Sequence, residues 1–284
     1  MSLVCFTGGV GYALAPAQPA HFDMMRFLAT MSAMAAGAGA CGALNMWWDA
    51  DIDANMARTA MRPIPRGAVP PRQALAIGAL LAAVSIGSLA LKVNWLAAAL
   101  LALTIAIYIP LYTMVLKRST PLNIVIGGAA GALPPDIGWA GAAGSLSLGP
   151  IALFLLIFLW TPPHFWALAL CRAGDYDRVG VPMLPNVAGP LATCRQIVGY
   201  SLLLVPASLA PLVIPGVGFF YATIAFVCDG TLLWRAFALY RLRDAEEQPR
   251  RKAAMAMFGY SILYMFVLFA ALLAQVAINA VLVH

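Results

Sequence analysis

Three residues spaced four apart, Asn45, Asp49 and Asp53, stand out in a chain of 284 residues that is 63% hydrophobic. On a helix this spacing stacks an amide and two carboxylates on one face. All three offer hard oxygen donors of the kind Mg²⁺ takes, and Mg²⁺ completes its shell with waters and phosphate oxygens. Asp51 falls on the opposite side of such a helix and reads as a bystander. The plainer alternative is a solvated loop whose acids pair with Arg58 and Arg62, contacts that are individually worth little. Against it, like charges four residues apart mildly destabilise a helix unless a cation neutralises them. The pattern therefore points to a metal and a phosphate-bearing substrate.

A second polar cluster, Tyr112, Lys117, Arg118, Thr120 and Asn123, follows a later apolar run. Lys117 and Arg118 supply donors for phosphate oxygens, Arg as a planar fork and Lys as a point charge. A Lys-Arg pair at a helix end is also an ordinary topology signal; its weight here comes from lying on the side of the aspartates. Asp175 and Asp177 sit in the loop after the sixth apolar run, where Asp175 could hold a second Mg²⁺. His164, placed after Pro162 and Pro163 within an apolar run, could ligate a metal or haem iron or carry protons. Its structural alternative is a bond to the carbonyl that the prolines leave free. Pro134 and Pro135 should interrupt the fifth run, and Asp136 just beyond them is expected to be hydrated near the outer interface. Gly127, Gly128, Ala130 and Gly131 in that run allow close helix packing or room for a bulky ligand.

The elements that must position these groups are transmembrane. A mean hydropathy of +0.87 and only 10% charged residues, with repeated apolar runs of about 20 residues, describe an all-α polytopic membrane protein. Apolar runs and breakers predict nine helices near residues 2–15, 23–44, 73–91, 95–116, 122–140, 148–170, 194–214, 217–239 and 254–281. They leave no room for a soluble domain, so residues 1–284 form one membrane-embedded domain. The first helix is short for a full crossing. Of the 17 basic residues, all but Arg26 and Lys92 then fall on one side. This puts the N-terminus and the even-numbered loops in the cytoplasm and the C-terminus outside. Those arginines sit in short loops rather than on a continuous basic surface, which favours lipid or an anionic substrate over nucleic acid. The five cysteines form no metal-spaced pair and read as small apolar residues.

Taken together, the blocks resemble a known family. NxxxDxxxD at Asn45, Asp49 and Asp53 is followed by MxRTxxRPIPxG from Met56 to Gly67 and LKRxTxxNIVIGGxAGAxPP from Leu116 to Pro135. PPHFWALA from Pro162 to Ala169 and DYxxxGVPMLP from Asp175 to Pro185 complete the set. They resemble the protoheme IX farnesyltransferases (haem O synthases) of the UbiA-type intramembrane prenyltransferase superfamily. The resemblance implies a nine-helix bundle around a central, lipid-open cavity in the bacterial inner membrane. It also implies transfer of farnesyl from farnesyl diphosphate to a vinyl group of haem B, with water completing haem O. Asn45, Asp49, Asp53 and Asp175 would hold Mg²⁺. Asn45, Arg58, Arg62, Lys117, Arg118, Asn123 and Asp175 would bind the diphosphate. Asp49, Asp53, Lys117 and Arg118 would be catalytic, and His164 would meet haem. Haem A synthase or oxidase assembly proteins are the candidate protein partners.

This chain departs from the family pattern in three places. It opens at MSLVCFTGG without a basic Lys-Pro-Arg segment, which places the expected start upstream; Gly174 stands where an acid commonly precedes Asp-Tyr; and Asp136 replaces an apolar residue. One rival keeps the fold and changes the acceptor to an aromatic quinone precursor; the PPHFW block and the MxRTxxRPIP spelling favour haem. A rival of another class, a secondary transporter, calls for midplane carboxylates and often inverted repeats. Here the acids gather at one surface.

Overall fold

The apolar runs fold as helices, and no strand occurs among the described residues, which in this computed structural model are 2–16, 23–57 and 59–282. α1 is Ser2–Leu14, α2 Met24–Trp48, α3 Ala50–Asn55, α4 Pro71–Lys92 and α5 Trp95–Ala106. α5 runs on through a π-helical stretch, Ile107–Leu116, into the turn α6, Lys117–Ser119. α7 is Asn123–Ala132, α8 Pro134–Ala143 and α9 Leu148–Asp177. α10, Leu184–Leu209, ends in a 3-10 turn, and α11, Phe219–Arg241, and α12, Glu247–Leu282, close the chain.

Among the described residues seven helices are long and apolar enough to cross a membrane, so the chain is a multi-pass membrane protein. The other two of the nine expected spans are shorter pieces. α1 has 13 residues, and the fifth span is divided into the ten-residue halves α7 and α8. The division has a local cause, since Pro134 and Pro135 donate no backbone hydrogen bond and crowd the preceding turn. Asp136, expected to be hydrated, is instead 5% exposed in the first turn of α8. The proline break places it inside the protein, where its Oδ2 has no hydrogen-bond partner among the described residues. α9 also outruns its expected end: beyond a kink at Arg172 (φ −126°, ψ 16°) it includes residues 175–177, which the sequence assigns to a loop.

Two apolar cores result. One joins Ala33 and Met34 of α2, Leu89 of α4, Leu101 of α5 and Ile137 of α8. The larger joins α9 to α12 through Trp166, Ile197, Leu204, Tyr221, Tyr264 and Phe269. α1 touches both, with Val4 against the first and Val10 and Leu14 in the second. Many large apolar side chains face outward, Leu91 and Phe219 almost wholly exposed, as a lipid-facing surface requires. Inside the second bundle the Asp229 carboxylate accepts from Tyr264 Oη at 2.8 Å and Ser208 Oγ at 2.6 Å, which accounts for a buried intramembrane acid.

α1 and α8 approach backbone to backbone. A Cβ on Gly138 would sit 1.9 Å from the Gly8 carbonyl oxygen, and one on Gly11 would sit 2.2 Å from that of Pro135. Gly138→Ala is therefore expected to destabilise the protein by ~1–3 kcal/mol or more, because two backbones must separate. Thermal unfolding in detergent checks this against Gly87→Ala, where a Cβ meets open space. Equal melting temperatures for the two variants would contradict the close packing.

Candidate functional site

α2 ends at Trp48, but the helical register survives the joint to α3. The Asp49 amide donates to the Asn45 carbonyl at 2.9 Å and the Asp53 amide to that of Asp49 at 2.8 Å, while Asp49 itself relaxes to φ −89° and ψ 10°. Asn45, Asp49 and Asp53 thus share one face, as their spacing predicts, and all three are buried. Opposite them stands the end of the α5 span. There the ladder widens to π-helix around Pro110, with Thr113 Oγ1 donating to the Tyr108 carbonyl at 2.8 Å. The widened turns bring Thr113 and Lys117 against α2.

The resulting network is one of opposed charges. Lys117 Nζ pairs with Asp49 Oδ2, and Asn45 Nδ2 donates to the same oxygen at 2.8 Å and to Thr113 Oγ1 at 3.3 Å. Arg62 Nη1 pairs with Asp53 Oδ2 at 2.7 Å, and the Thr59 hydroxyl donates to the Asp53 carbonyl. The acid–arginine pairing that the loop alternative predicts is therefore present at Asp53, within a buried cluster rather than a solvated loop. Arg118 grips Asp51 with two hydrogen bonds of 2.7 and 2.8 Å, and its Nη2 lies 3.6 Å from Asp49 Oδ1. That hydrogen-bonded fork holds the Asp51 carboxyl below the usual carboxylate range. Asp51 is thus no bystander: it anchors Arg118 and ties the aspartate segment to α6.

Asp49 Oδ1 is buried and accepts no hydrogen bond among the described residues. With the Arg118 guanidinium 3.6 Å away and no hydrogen bond made, this oxygen has room to accept a further cationic partner. The Asn45 amide commits its nitrogen, which leaves its oxygen outside those bonds. No group of three or more His, Cys, Asp or Glu able to hold a metal occurs among the described residues. The donor set that fits a hard cation is therefore Asp49, Asp53 and the Asn45 amide, with further oxygens left to water or substrate.

Arg58 and the side chain of Asp175 lie outside the described residues. Asn123, at the start of α7, is buried and donates to the Thr120 carbonyl at 2.6 Å. Its Oδ1 has no partner among the described residues, and it shares no hydrogen bond with the Asp49 cluster. Gly127 and Gly128 serve close packing, Gly127 against Tyr112 and Gly128 against Thr161 of α9. α7 thus lies between the helix of Lys117 and the helix of His164.

His164 is buried in the seam between α9 and α12. Its Nδ1 lies 2.7 Å from Ser261 Oγ, so its partner is a hydroxyl on another helix rather than the carbonyl freed by the prolines. Trp160 and Phe258 stack on its two sides, with ring centroids at 4.3 and 4.7 Å. Sequence reasoning missed both Thr113 and Ser261. Pro110 inside an apolar run hints at the irregular turn that presents Thr113, whereas no local pattern marks Ser261.

Residues 3–262 match the model of the UbiA prenyltransferase family. The chain is 54% identical over 275 residues to a protein of Parvibaculum lavamentivorans named protoheme IX farnesyltransferase, an alignment covering 97% of this chain and 85% of the relative. In fold it is similar to a UbiA homologue from Aeropyrum pernix K1, with a TM-score of 0.73, 23% identity and coverage of 96% and 97% of the two chains. It is similar also to a UbiA homologue from Archaeoglobus fulgidus bound to DMAPP and Mg²⁺, with a TM-score of 0.71, 16% identity and coverage of 94% and 96%.

Proposed function

The chain belongs to the UbiA prenyltransferase family, and we propose that it transfers the farnesyl group of farnesyl diphosphate to a vinyl group of protoheme IX, forming haem O. The observation that carries this reading is the 54% identity, across nearly the whole chain, to a protein named for that reaction. The geometry of the Asp49 cluster supplies a mechanism.

The barrier is heterolysis of the bond between farnesyl C1 and the diphosphate oxygen, which builds negative charge on the leaving group. Lys117 and Arg62 stand at the cluster beside Asp49 and Asp53, and once they have turned to the bound diphosphate they stabilise that charge as it develops. Arg118 extends the cationic rim; Arg58, Asn123 and Asp175 are assigned to the diphosphate by their places in the family motifs. Asn45, Asp49 and Asp53 would hold Mg²⁺, with Asp175 a further donor; when bound, the ion supplies a divalent charge against the diphosphate. The vinyl π electrons form the new bond to farnesyl C1, and water captures the carbon left electron-poor and releases a proton. Apolar helices around the site keep other water from quenching the allylic cation first. His164 presents an imidazole nitrogen to the haem iron.

The membrane is the bacterial inner membrane, with the Asp49 end facing the cytoplasm, because 15 of the 17 basic residues gather there. Any contact with a haem A synthase or oxidase assembly protein would follow haem O leaving this site. The deciding experiment is reconstitution in lipid vesicles with farnesyl diphosphate and haem B, with and without Mg²⁺. Haem O, identified by mass, is expected only with the metal. Prenylation of a phenolic acceptor with no haem product would overturn the reading.

A further inference from the structure

We infer that Ser261 is a positioning residue that fixes the tautomer of His164, so that its Nε2 meets the porphyrin as a bare lone pair and the site selects metallated over metal-free porphyrin. This rests on the haem reading above.

The inference follows from counting hydrogens. Ser261 Oγ lies 2.6 Å from the Phe258 carbonyl and 2.7 Å from His164 Nδ1. A carbonyl only accepts and its contact is the shorter of the two, so the single hydroxyl hydrogen is assigned to Phe258. Ser261 can then offer His164 only a lone pair, and Nδ1 must carry the imidazole hydrogen. In the neutral ring Nε2 is therefore bare, and it has no hydrogen-bond partner among the described residues. The ring cannot readily turn, since Trp160 and Phe258 stack on it and Phe165 meets it edge-on with centroids 5.1 Å apart. Trp160 Nε1 also donates to the Ser261 carbonyl at 2.8 Å, which locks α9 to α12 beside the pair.

The depth of the ring is also suitable. α7 touches Tyr112 and Thr161 through adjacent glycines, which sets a common level for the α5 span and α9. Both run from there toward the Asp49 end. His164 lies three residues past that level and Lys117 five, so both stand within about two helical turns of it on the same side. A bare nitrogen at this depth can hold a metal, whereas a metal-free porphyrin offers it no coordination centre, because the two N–H groups among its four central nitrogens lie in the ring plane and point inward, away from a lone pair that approaches the face. A histidine ligand whose other N–H is held by a neighbour is oriented and made more basic, and loss of such a neighbour costs roughly 10–100-fold in affinity.

The test titrates purified protein with haem B, zinc protoporphyrin IX and metal-free protoporphyrin IX, for wild type, His164→Gln, Ser261→Ala and Ser261→Thr. Wild type is expected to bind both metalloporphyrins at least about tenfold more tightly than the metal-free one. Ser261→Ala should weaken metalloporphyrin binding by about 10-fold and shift the Soret band. It should leave metal-free binding alone, and Ser261→Thr should restore the rest by keeping the hydroxyl. Wild type gives a check independent of folding, since donation from Nδ1 raises the iron–histidine stretching band of the ferrous complex. Ser261→Ala spectra and affinities equal to wild type, or a wild-type band at the position of unbonded imidazole, would overturn the inference while His164 remained the ligand. Unchanged haem spectra in His164→Gln would remove the ligand itself and overturn the inference while haem farnesylation stood, whereas a wild type that bound neither metalloporphyrin would remove the reading on which the inference rests.

Discussion

Turnover of Asp49→Ala is expected to fall about 10³-fold, the scale found when one preorganised charge contact to the reacting group is removed. Asp49 is the point where the cluster converges. It takes the Lys117 ammonium and the Asn45 amide on one oxygen and leaves the other buried without a hydrogen bond, with the Arg118 guanidinium 3.6 Å away. Its loss removes a hard donor and strands Lys117 without its counter-ion. Asp49→Asn, which keeps the volume, should fall nearly as far because the lost property is charge. Haem O formation in vesicles measures the effect, with gel filtration and thermal unfolding showing that each variant is folded. Near-normal turnover in Asp49→Ala and in Asp53→Ala would sink the assignment of this face.

The register of Asn45, Asp49 and Asp53 was legible because it is local: spacing of four on a continuing helix puts side chains together whatever lies around them. For a similar reason seven of the nine expected spans answer, among the described residues, to helices long and apolar enough to cross a membrane, since hydrocarbon thickness sets the length of an apolar run. α1 and the divided fifth span fall short of it. What stayed hidden depends on other helices. Asp51 looked idle because its partner, Arg118, is 67 residues away in sequence. The place of Ser261 opposite His164 is set by the α9–α12 packing. Thr113 requires the ladder to widen at Pro110, and a proline in a run announces irregularity without saying which way side chains turn. Asp136 was misplaced because the depth of a helix break depends on how α1 packs against α8, through glycines that read as ordinary small residues.

The cluster as it stands is close to charge balance, with Asp49 facing Lys117 and Asp53 facing Arg62. This arrangement suits a site that must accept a divalent cation together with a diphosphate. The two arrivals carry opposite charges, so the carboxylates can turn to the cation and the ammonium and guanidinium to the phosphate oxygens with little net change. Either ligand alone would leave one set of side chains without partners. Diphosphate affinity should therefore depend on the metal, and metal affinity on the diphosphate, to the same degree.

Lys117 and Arg118 are neighbours in sequence, yet they are expected to contribute unequally. The Lys117 side chain is 17% exposed and paired with the fully buried Asp49, whereas that of Arg118 is 38% exposed and held by Asp51, itself 62% exposed. Charge acts more strongly where water is excluded, and exposed pairs are worth little. Lys117→Gln should accordingly lower kcat by about 10²-fold, with KM for farnesyl diphosphate rising less, because its charge matters most as the leaving group ionises. Arg118→Gln should stay within about tenfold of wild type, since its main bond is to a carboxylate at the rim. Steady-state kinetics with both substrates varied will separate the two. A larger loss in Arg118→Gln than in Lys117→Gln would mean that Arg118 leaves Asp51 to carry the leaving group, and the ranking drawn from burial would be wrong.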